Sequence, residues 1–372
     1  MMKAEAVGLY VHIPFCKKKC NYCDFCSFSD ITKEQREKYL DCLIAEIESY
    51  KKSPKLQIGT VFFGGGTPSL LEPYELSKIC RAIYDSFKVN DGAEFTLEVN
   101  PKTLNEEKCK AYKALGVNRI SMGTQSIHEN ELKKLGRIHT FSDFLDSYRL
   151  AARYFDNISV DLMYGIPGQT MESFGATLDE VISLFPKHIS VYGLIVEEGT
   201  PFYKMRDRLD LPSEDEECDM YLFAAKKLGA AGYSHYEISN YALVGFECRH
   251  NLKYWQDEEY IGVGLSAASY FGQRYVNTKK FDEYLSGRGA NYNREYEAPD
   301  CKTEYIMLRL RLSRGISLSH YKERFGEDFV SLRRELIEKL KSFGYLEYDK
   351  DTVRLTEKGF YVSNYIISEL IT

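Results

Sequence analysis

Tyr10-Val11-His12-Ile13-Pro14-Phe15-Cys16-Lys17-Lys18-Lys19-Cys20-Asn21-Tyr22-Cys23-Asp24-Phe25-Cys26 is the stretch that decides the fold. It places Cys16, Cys20, Cys23 and Cys26 within eleven positions, four of the chain's ten cysteines. Just before them, residues 8–13 read as a buried apolar strand, so the cysteines fall on a loop at a strand's C-terminal end, where α/β folds carry their chemistry. Three thiolates spaced C-x3-C-x2-C on one tight loop can take three corners of a cubane iron–sulfur cluster, because thiolates are soft ligands for iron and zinc. The fourth iron is then open to chelate a substrate or cofactor. Two other readings stand beside this one: a four-cysteine zinc knuckle that recruits Cys26, and a fully ligated electron-transfer cluster. Zinc knuckles usually pair two C-x2-C clips across a longer gap, whereas this run is continuous.

Working outward, residues 32–50 are charged yet carry Tyr39, Leu40, Leu43, Ile44 and Ile47 at helical spacing, with Thr32 and Gln35 placed as a capping box. A short β-rich run at 60–63 ends in Gly64-Gly65-Gly66-Thr67-Pro68-Ser69, and a helix over 73–87 follows. The alternation continues with strands at 94–99, 118–122, 158–163 and 188–194, separated by amphipathic helices around 105–114, 129–134, 141–154 and 171–184. Such alternation predicts right-handed βαβ units around a parallel sheet. The strands number six, two fewer than a closed barrel of eight. Glu98, Asn100, Gln125, Asp161 and Tyr192 put polar groups at the C-terminal ends of these strands. That favours, over a doubly wound sheet, an α/β partial (β/α)6 TIM-like barrel with one open side facing its ligands.

From about 200 to 295 the repeat gives way to irregular aromatic and polar sequence. It holds His235-Tyr236-Glu237-Ile238-Ser239-Asn240-Tyr241 and Cys248-Arg249-His250-Asn251-Leu252-Lys253-Tyr254-Trp255, and it closes on Gly262-Val263-Gly264-Leu265-Ser266-Ala267-Ala268. Helices at 302–312, 318–325 and 329–343, two short strands at 346–348 and 353–355 and a last helix predict a small C-terminal winged-helix-like α+β domain. The expected divisions are 1–200 for the partial barrel with its cysteine loop, 201–298 for an extension completing the core, and 299–372 for the C-terminal domain. In the last, Glu335, Glu338, Glu347 and Asp349 offset the lysines and arginines, which favours a lid or docking surface over DNA binding.

Composition narrows the function classes. At 372 residues and 44% hydrophobic the chain can bury one large core with a smaller companion. A net charge of −6 provides no basic field, so no nucleic-acid or anionic-membrane partner is expected. No signal core opens the chain and no uncharged run approaches a membrane span, so a cytoplasmic protein that does not itself span a membrane is expected. In a reducing compartment clustered cysteines are metal ligands rather than disulfide partners. The scattered six, Cys42, Cys80, Cys109, Cys218, Cys248 and Cys301, read as packing residues.

At the cysteine loop and the glycine run the sequence resembles the radical S-adenosylmethionine superfamily, whose signature is C-x3-C-x2-C after the first strand of a partial six-fold barrel. Cys16, Cys20 and Cys23 match the ligand positions, Tyr22 the usual aromatic, and residues 64–68 the glycine motif. The glycines let a backbone edge approach a ligand, and Gly65, Gly66 and Thr67 are placed to hydrogen-bond the methionyl amine. The resemblance implies a [4Fe–4S] cluster, S-adenosylmethionine, a low-potential electron donor and reductive cleavage to a 5′-deoxyadenosyl radical.

A narrower match joins Tyr10-x-His12-Ile13-Pro14-Phe15-Cys16 with Gly64-Gly65-Gly66-Thr67-Pro68. It resembles the oxygen-independent coproporphyrinogen III oxidase-like family and its haem-chaperone branch, over nearly the whole chain. It implies that Tyr10, Gly65, Gly66, Thr67 and Glu98 contact a first S-adenosylmethionine. Tyr22, Gln125, Arg137, Asp161 and Gly193 match positions that hold a second in the porphyrinogen enzyme, and Ala268 is carried over with them. Taken singly, Glu98 or Asp161 could equally hydrogen-bond a neighbouring loop, and Arg137 could be a surface cation. His12, between a strand and Pro14, reads as structural and placed to hydrogen-bond backbone.

Three features favour the chaperone branch. Cys16 follows the chain start almost at once, where the enzyme carries a long arm. Cys26 comes three residues after the third ligand rather than two. His250-Asn251-x-x-Tyr254-Trp255 resembles that branch's H-N-x-x-Y-W motif. His250 can offer an imidazole to haem iron, and Tyr254 and Trp255 can pack on a macrocycle, although a histidine beside aromatics is also a common hydrogen-bonded core residue. Cys248 is a second candidate axial ligand. The favoured function is a haem chaperone that delivers haem to membrane-associated respiratory proteins. The alternative is oxygen-independent coproporphyrinogen III dehydrogenase, converting two propionates to vinyls, and a third reading is a radical enzyme that opens or methylates haem.

Overall fold

The computed structural model describes residues 6–52, 54–287, 295–297 and 300–371. The chain start and the expected 298/299 division lie outside these residues. The first six strands, β1 (Val7–Ile13), β2 (Gln57–Gly65), β3 (Lys88–Val99), β4 (Arg119–Gln125), β5 (Asn157–Tyr164) and β6 (His188–Gly193), pair in sequence order and all in parallel. Between them run α1 (Lys33–Ser49), α2 (Pro73–Ser86), α3 (Glu106–Ala114), α4 (Glu129–Lys134), α5 (Phe141–Ala152) and α6 (Met171–Ser183). This is the expected partial (β/α)6 barrel. The Thr32–Gln35 capping box starts α1, and Thr140 with Asp143 and Thr170 with Ser173 do the same for α5 and α6.

Strand alternation explains which residues meet the ligand space. On β4, Ile120 and Met122 are fully buried in the main core, while Arg119, Ser121, Gly123 and Gln125 line an interior cavity. The same division separates Val160 and Leu162 from Asp161 and Met163 on β5, and Ile189 and Val191 from His188, Ser190 and Tyr192 on β6. Outward residues Leu9, Val11 and Ile13 share the core with Tyr39, Leu40, Leu43 and Ile47 of α1. Each such side chain contributes about 1.5–3 kcal/mol of burial.

Residues 201–287 are not irregular, contrary to the sequence reading. They form α7 (Pro201–Lys204), a long α8 (Glu214–Ala230), β7 (Ser234–Glu237), β8 (Asn240–Ala242), α9 (Arg249–Trp255), β9 (Tyr260–Val263), β10 (Ala268–Phe271), β11 (Gln273–Val276) and α10 (Phe281–Ser286), with β12 (Glu295–Glu297) beyond. β9 pairs in parallel with β1 as a seventh barrel strand. β8 and β7 extend the sheet antiparallel beyond β6, and β10, β11 and β12 extend it beyond β9. Among the described residues no pairing joins the two ends of this twelve-stranded sheet, so the barrel stays open.

The C-terminal part is the expected small α+β module. It contains α11 (Cys301–Arg309), α12 (Leu318–Phe325), α13 (Phe329–Leu332), α14 (Arg334–Ser342), α15 (Glu357–Tyr361) and α16 (Ser363–Ile371) around β13 (Ile316–Ser317), β14 (Leu346–Tyr348) and β15 (Thr352–Leu355). The order β13-β15-β14 adds a third strand to the two expected. The helix expected over 329–343 breaks at Arg333, which leaves helical geometry and sends its Nε to the Leu370 carbonyl at 2.6 Å. The module docks on the barrel through the Ser313 N–H on the Tyr236 carbonyl (3.1 Å) and the Arg324–Asp257 ion pair (2.7 Å). Of the six scattered cysteines, Cys80, Cys109 and Cys248 are buried and Cys42 and Cys218 part-buried, but Cys301 is exposed at the start of α11 rather than packed. Among the described residues no helix is long and apolar enough to cross a membrane.

Candidate functional site

The cysteine loop is fastened by backbone on both sides. The Cys16 N–H donates to the Phe28 carbonyl at 2.9 Å, the Gly66 N–H to Ile13 at 2.8 Å and the Thr67 N–H to Phe15 at 2.8 Å. Gly66 is required by close approach, since a Cβ there would stand 2.7 Å from the Phe15 carbonyl oxygen and 2.9 Å from that of Ile13. Gly65 is required twice over, by its φ of +109° and because a Cβ would strike the His12 ring. His12 Nε2 donates to the Cys26 carbonyl at 2.8 Å, so Nδ1 accepts from the Tyr10 hydroxyl at 3.0 Å. Burial, opposed by that carbonyl, lowers its pKa and keeps the ring neutral.

Cys16, Cys20 and Cys23 line one cavity of about 680 Å³, within the range of small-molecule sites. The Thr67 hydroxyl points at Cys16 Sγ (3.6 Å) and Arg137 Nη1 at Cys20 Sγ (3.6 Å). Hydrogen-bond donors to sulfur are what tune iron–sulfur clusters, and three thiols on one wall, two of them so supported, fit a three-thiolate cluster. Among the described residues no three His, Cys, Asp or Glu side chains converge on a single-ion site. Cys26 is not on that wall. Its Sγ faces the Lys279 carbonyl at 3.7 Å, and it lines a separate, more open hollow with His12, Tyr254, Tyr260 and Ala268.

The cavity gathers Tyr10, Tyr22, Gly65, Gly66, Thr67, Glu98, Gln125, Arg137, Asp161 and Gly193. Ala268 is exposed in the second hollow instead. The N–H groups of Gly65, Gly66 and Thr67 are all engaged, Gly65 with Glu98 Oε2 at 3.1 Å, so a ligand amine would meet their carbonyl oxygens. Burial, reinforced by Asp161, raises the Glu98 carboxyl to about 8 against the pull of the Gly65 N–H and Arg119. Arg137 Nη2 donates to Asn100 Oδ1 and the Gly123 carbonyl, both at 2.6 Å, and Asn100 in turn donates to Thr67 Oγ1 at 2.8 Å. Arg137 therefore ties the cysteine loop to the ends of β3 and β4 and is not a surface cation. Asp161 accepts from the hydroxyls of Ser121 (3.1 Å), Ser159 (3.4 Å) and Ser190 (2.9 Å). Gln125 holds φ +70° at the end of β4, backbone strain of the kind that gathers at functional sites. Gly193 makes room for Tyr164, whose hydroxyl would lie 2.8 Å from a Cβ.

α9 brings a second group of residues to the same cavity. Its first N–H groups, those of Arg249 and His250, both donate to Glu94 at 3.0 Å, so a carboxylate from β3 caps the helix where its dipole is positive. His250 is fully buried, with Nδ1 on Thr60 Oγ1 and Nε2 on the Tyr254 hydroxyl, each at 2.8 Å. Burial, with Lys253 and Arg119 nearby, lowers its pKa to about 3, so the imidazole is neutral. His250, Asn251 and Tyr254 line the cavity. Trp255 does not, and lies instead beneath Arg311 of the C-terminal module, 5.5 Å from guanidinium to ring. Cys248 is buried with its Sγ 3.7 Å from Glu94 Oε1, off the cavity wall. Sequence reasoning missed Glu94, Thr60 and Arg119, whereas Asn100, read from its place at a strand end, does reach the cavity. Inward alternation on β2, β3 and β4 was the available signal, but it needs the register of the barrel.

Residues 10–181 match the Radical SAM superfamily and residues 298–362 the HemN C-terminal domain. The chain is 36% identical to a protein of Lactococcus lactis named Heme chaperone HemW, over 97% of this chain and 96% of that one. Its Bacillus subtilis counterpart of the same name is also 36% identical, over 97% and 98%, and that of Escherichia coli 34%, over 96% of each chain. Among solved structures it is similar to coproporphyrinogen III oxidase (HemN) of Escherichia coli, with a TM-score of 0.84 and 25% identity over 99% of this chain and 90% of that one.

Proposed function

The chain belongs to the radical S-adenosylmethionine superfamily and, within it, to the family of Heme chaperone HemW, and from that premise we propose that it binds haem and hands it to respiratory proteins of the membrane from the cytoplasm. The radical SAM domain implies a [4Fe–4S] cluster and S-adenosylmethionine. Cys16, Cys20 and Cys23 are the thiols that would hold the cluster, and Tyr10, Gly65, Gly66, Thr67 and Glu98 the residues beside which S-adenosylmethionine would sit. The cluster, when bound and reduced by a low-potential donor, supplies the electron for reductive cleavage of S-adenosylmethionine. Gln125, Arg137, Asp161 and Gly193 remain for a second ligand in the same cavity.

The observation that carries the proposal is that α9 places His250 on the cavity wall, with its ring neutral and its Nδ1 held by Thr60. A neutral imidazole whose far nitrogen is hydrogen-bonded is the state that ligates iron. Tyr254 holds Nε2 in the haem-free protein and would yield it on binding, while Asn251 stays at the cavity edge. Trp255 would act through the C-terminal module, since it does not face the cavity.

The overlap with HemN over nearly the whole chain supports a second reading, coproporphyrinogen III dehydrogenase acting through a radical on two propionates. Haem titration followed by visible absorbance tests the first. Saturable binding to the reconstituted protein, weakened at least about tenfold by His250→Ala, is expected. Wild-type affinity in His250→Ala would remove His250 from the account.

A further inference from the structure

The cavity floor holds a charged group that neither the cluster loop nor α9 uses. Arg119, at the N-terminal end of β4, is 2% exposed and its side chain lines the cavity. Among the described residues it has no hydrogen-bond or ion-pair partner, and its Nε is a buried nitrogen left unpaired. The acids near enough to feel its charge are Glu94, Asp161 and Glu98. All three are engaged elsewhere. Glu94 caps α9, Asp161 takes three serine hydroxyls and Glu98 takes the Gly65 N–H.

A buried guanidinium costs folding free energy unless it is paired, and a merely structural one would have drawn in one of these carboxylates. Its planar fork of donors matches a carboxylate through two parallel hydrogen bonds. We propose that Arg119 is the receptor for a carboxylate of the ligand that enters this cavity, held at the floor by the guanidinium fork. Arg119 also lies close enough to His250 for its charge to bear on that ring. One ligand that presents a metal to His250 and a carboxylate to Arg119 is a metallated tetrapyrrole with an acidic side chain. Taking the carboxylate as a tetrapyrrole propionate rests on the proposed function; the amino-acid carboxylate of S-adenosylmethionine offers the same chemistry.

The test titrates the full-length reconstituted protein and its Arg119→Met and Arg119→Lys variants with haem, with coproporphyrin III and with coproporphyrin III tetramethyl ester, and measures S-adenosylmethionine binding for each. The wild type should prefer the free acid to the ester by roughly 10- to 100-fold, the range of a charge-assisted hydrogen-bonded pair. Arg119→Met should lose that preference with S-adenosylmethionine binding unchanged, and Arg119→Lys, which keeps the charge without the fork, should retain part of it. Loss of S-adenosylmethionine binding in Arg119→Met, with the acid preference intact, would place the amino-acid carboxylate on the floor instead. Equal binding of acid and ester by the wild type, with S-adenosylmethionine binding indifferent to Arg119, overturns the proposal. The acid-against-ester arm needs no variant, and Arg119→Lys, which keeps the buried charge, supplies the S-adenosylmethionine arm if Arg119→Met does not fold. Acid preference for coproporphyrin III without haem binding would keep Arg119 in this role and remove the haem reading alone.

Discussion

Two substitutions next to His250 should move haem affinity in opposite directions. Thr60 Oγ1 and the Tyr254 hydroxyl hold the two ring nitrogens at 2.8 Å each. Iron on Nε2 requires the proton on Nδ1, where, among the described residues, Thr60 Oγ1 is the acceptor. Thr60→Val keeps the shape of the side chain and leaves that N–H buried and unpaired in the bound state. In the free state the proton can shift to Nε2 and be given to Tyr254. The cost therefore falls mainly on the complex, and a loss of about 10- to 100-fold in haem affinity is expected, as for other residues behind a metal ligand. Tyr254→Phe does the reverse. Its hydroxyl bond exists only in the haem-free protein, so deleting it destabilises that state by about 0.5–1.5 kcal/mol and should tighten haem binding by roughly 2- to 10-fold. Haem titration of both variants, with urea midpoints to follow the free protein, measures the two effects. Weakening by both variants alike, or indifference to Thr60→Val, would refute the view that His250 ligates through Nε2 with Thr60 behind it.

Three further outcomes follow from the geometry. Ala at Cys16, Cys20 or Cys23 should abolish the broad visible absorbance of the reconstituted cluster, whereas Cys26→Ala, on the other side of Tyr254, should keep it; loss with Cys26→Ala would mean that the fourth iron is not open. Gly66→Ala should push the glycine loop off the Phe15 backbone and strain two backbone hydrogen bonds, lowering stability by about 1–3 kcal/mol and cluster occupancy with it, as read by denaturant melts and iron content. Glu98 sits at about 8 when folded against an ordinary value of 4.5, so between those pH values the folded state carries a proton that the unfolded state has lost. In the cluster-free protein stability should thus fall as pH rises through that window, by at most about 1.4 kcal/mol per pH unit from this group, and Glu98→Gln should flatten the slope. An unchanged pH profile in Glu98→Gln would show that the carboxyl is not held protonated.

The first two hundred residues were largely legible because their signals are local. Apolar period, capping boxes and glycine turns fixed six strands and six helices, and C-x3-C-x2-C fixed the loop between the first strand and helix. The long α8 carried a readable start, Ser213 with Glu216 as a capping box and Met220, Tyr221, Ala224 and Leu228 on one face, but its acidic first turn and aromatic surroundings disguised it. β9 offered nothing local. Tyr260–Val263 is four residues containing a glycine, and it becomes a barrel strand only by pairing with β1 at the far end of the sequence. The supports of His250 are equally distant, Glu94 lying 156 residues before it and Thr60 190 residues before it. Trp255 was grouped with Tyr254 by motif, yet at 100° per residue Tyr254 stays within about 40° of His250 while Trp255 is turned about 140° from it, toward Arg311 of the C-terminal module. Arg119 belongs to no motif, and only the register of β4 reveals that it faces inward.

The central claim is that this radical S-adenosylmethionine cavity carries haem rather than transforming a porphyrinogen. The direct measurement is an anaerobic incubation of the reconstituted protein with coproporphyrinogen III, S-adenosylmethionine and a low-potential reductant, beside a haem titration of the same preparation. The account predicts saturable haem binding and no protoporphyrinogen IX above the protein-free control. Conversion to protoporphyrinogen IX with release of carbon dioxide would contradict it.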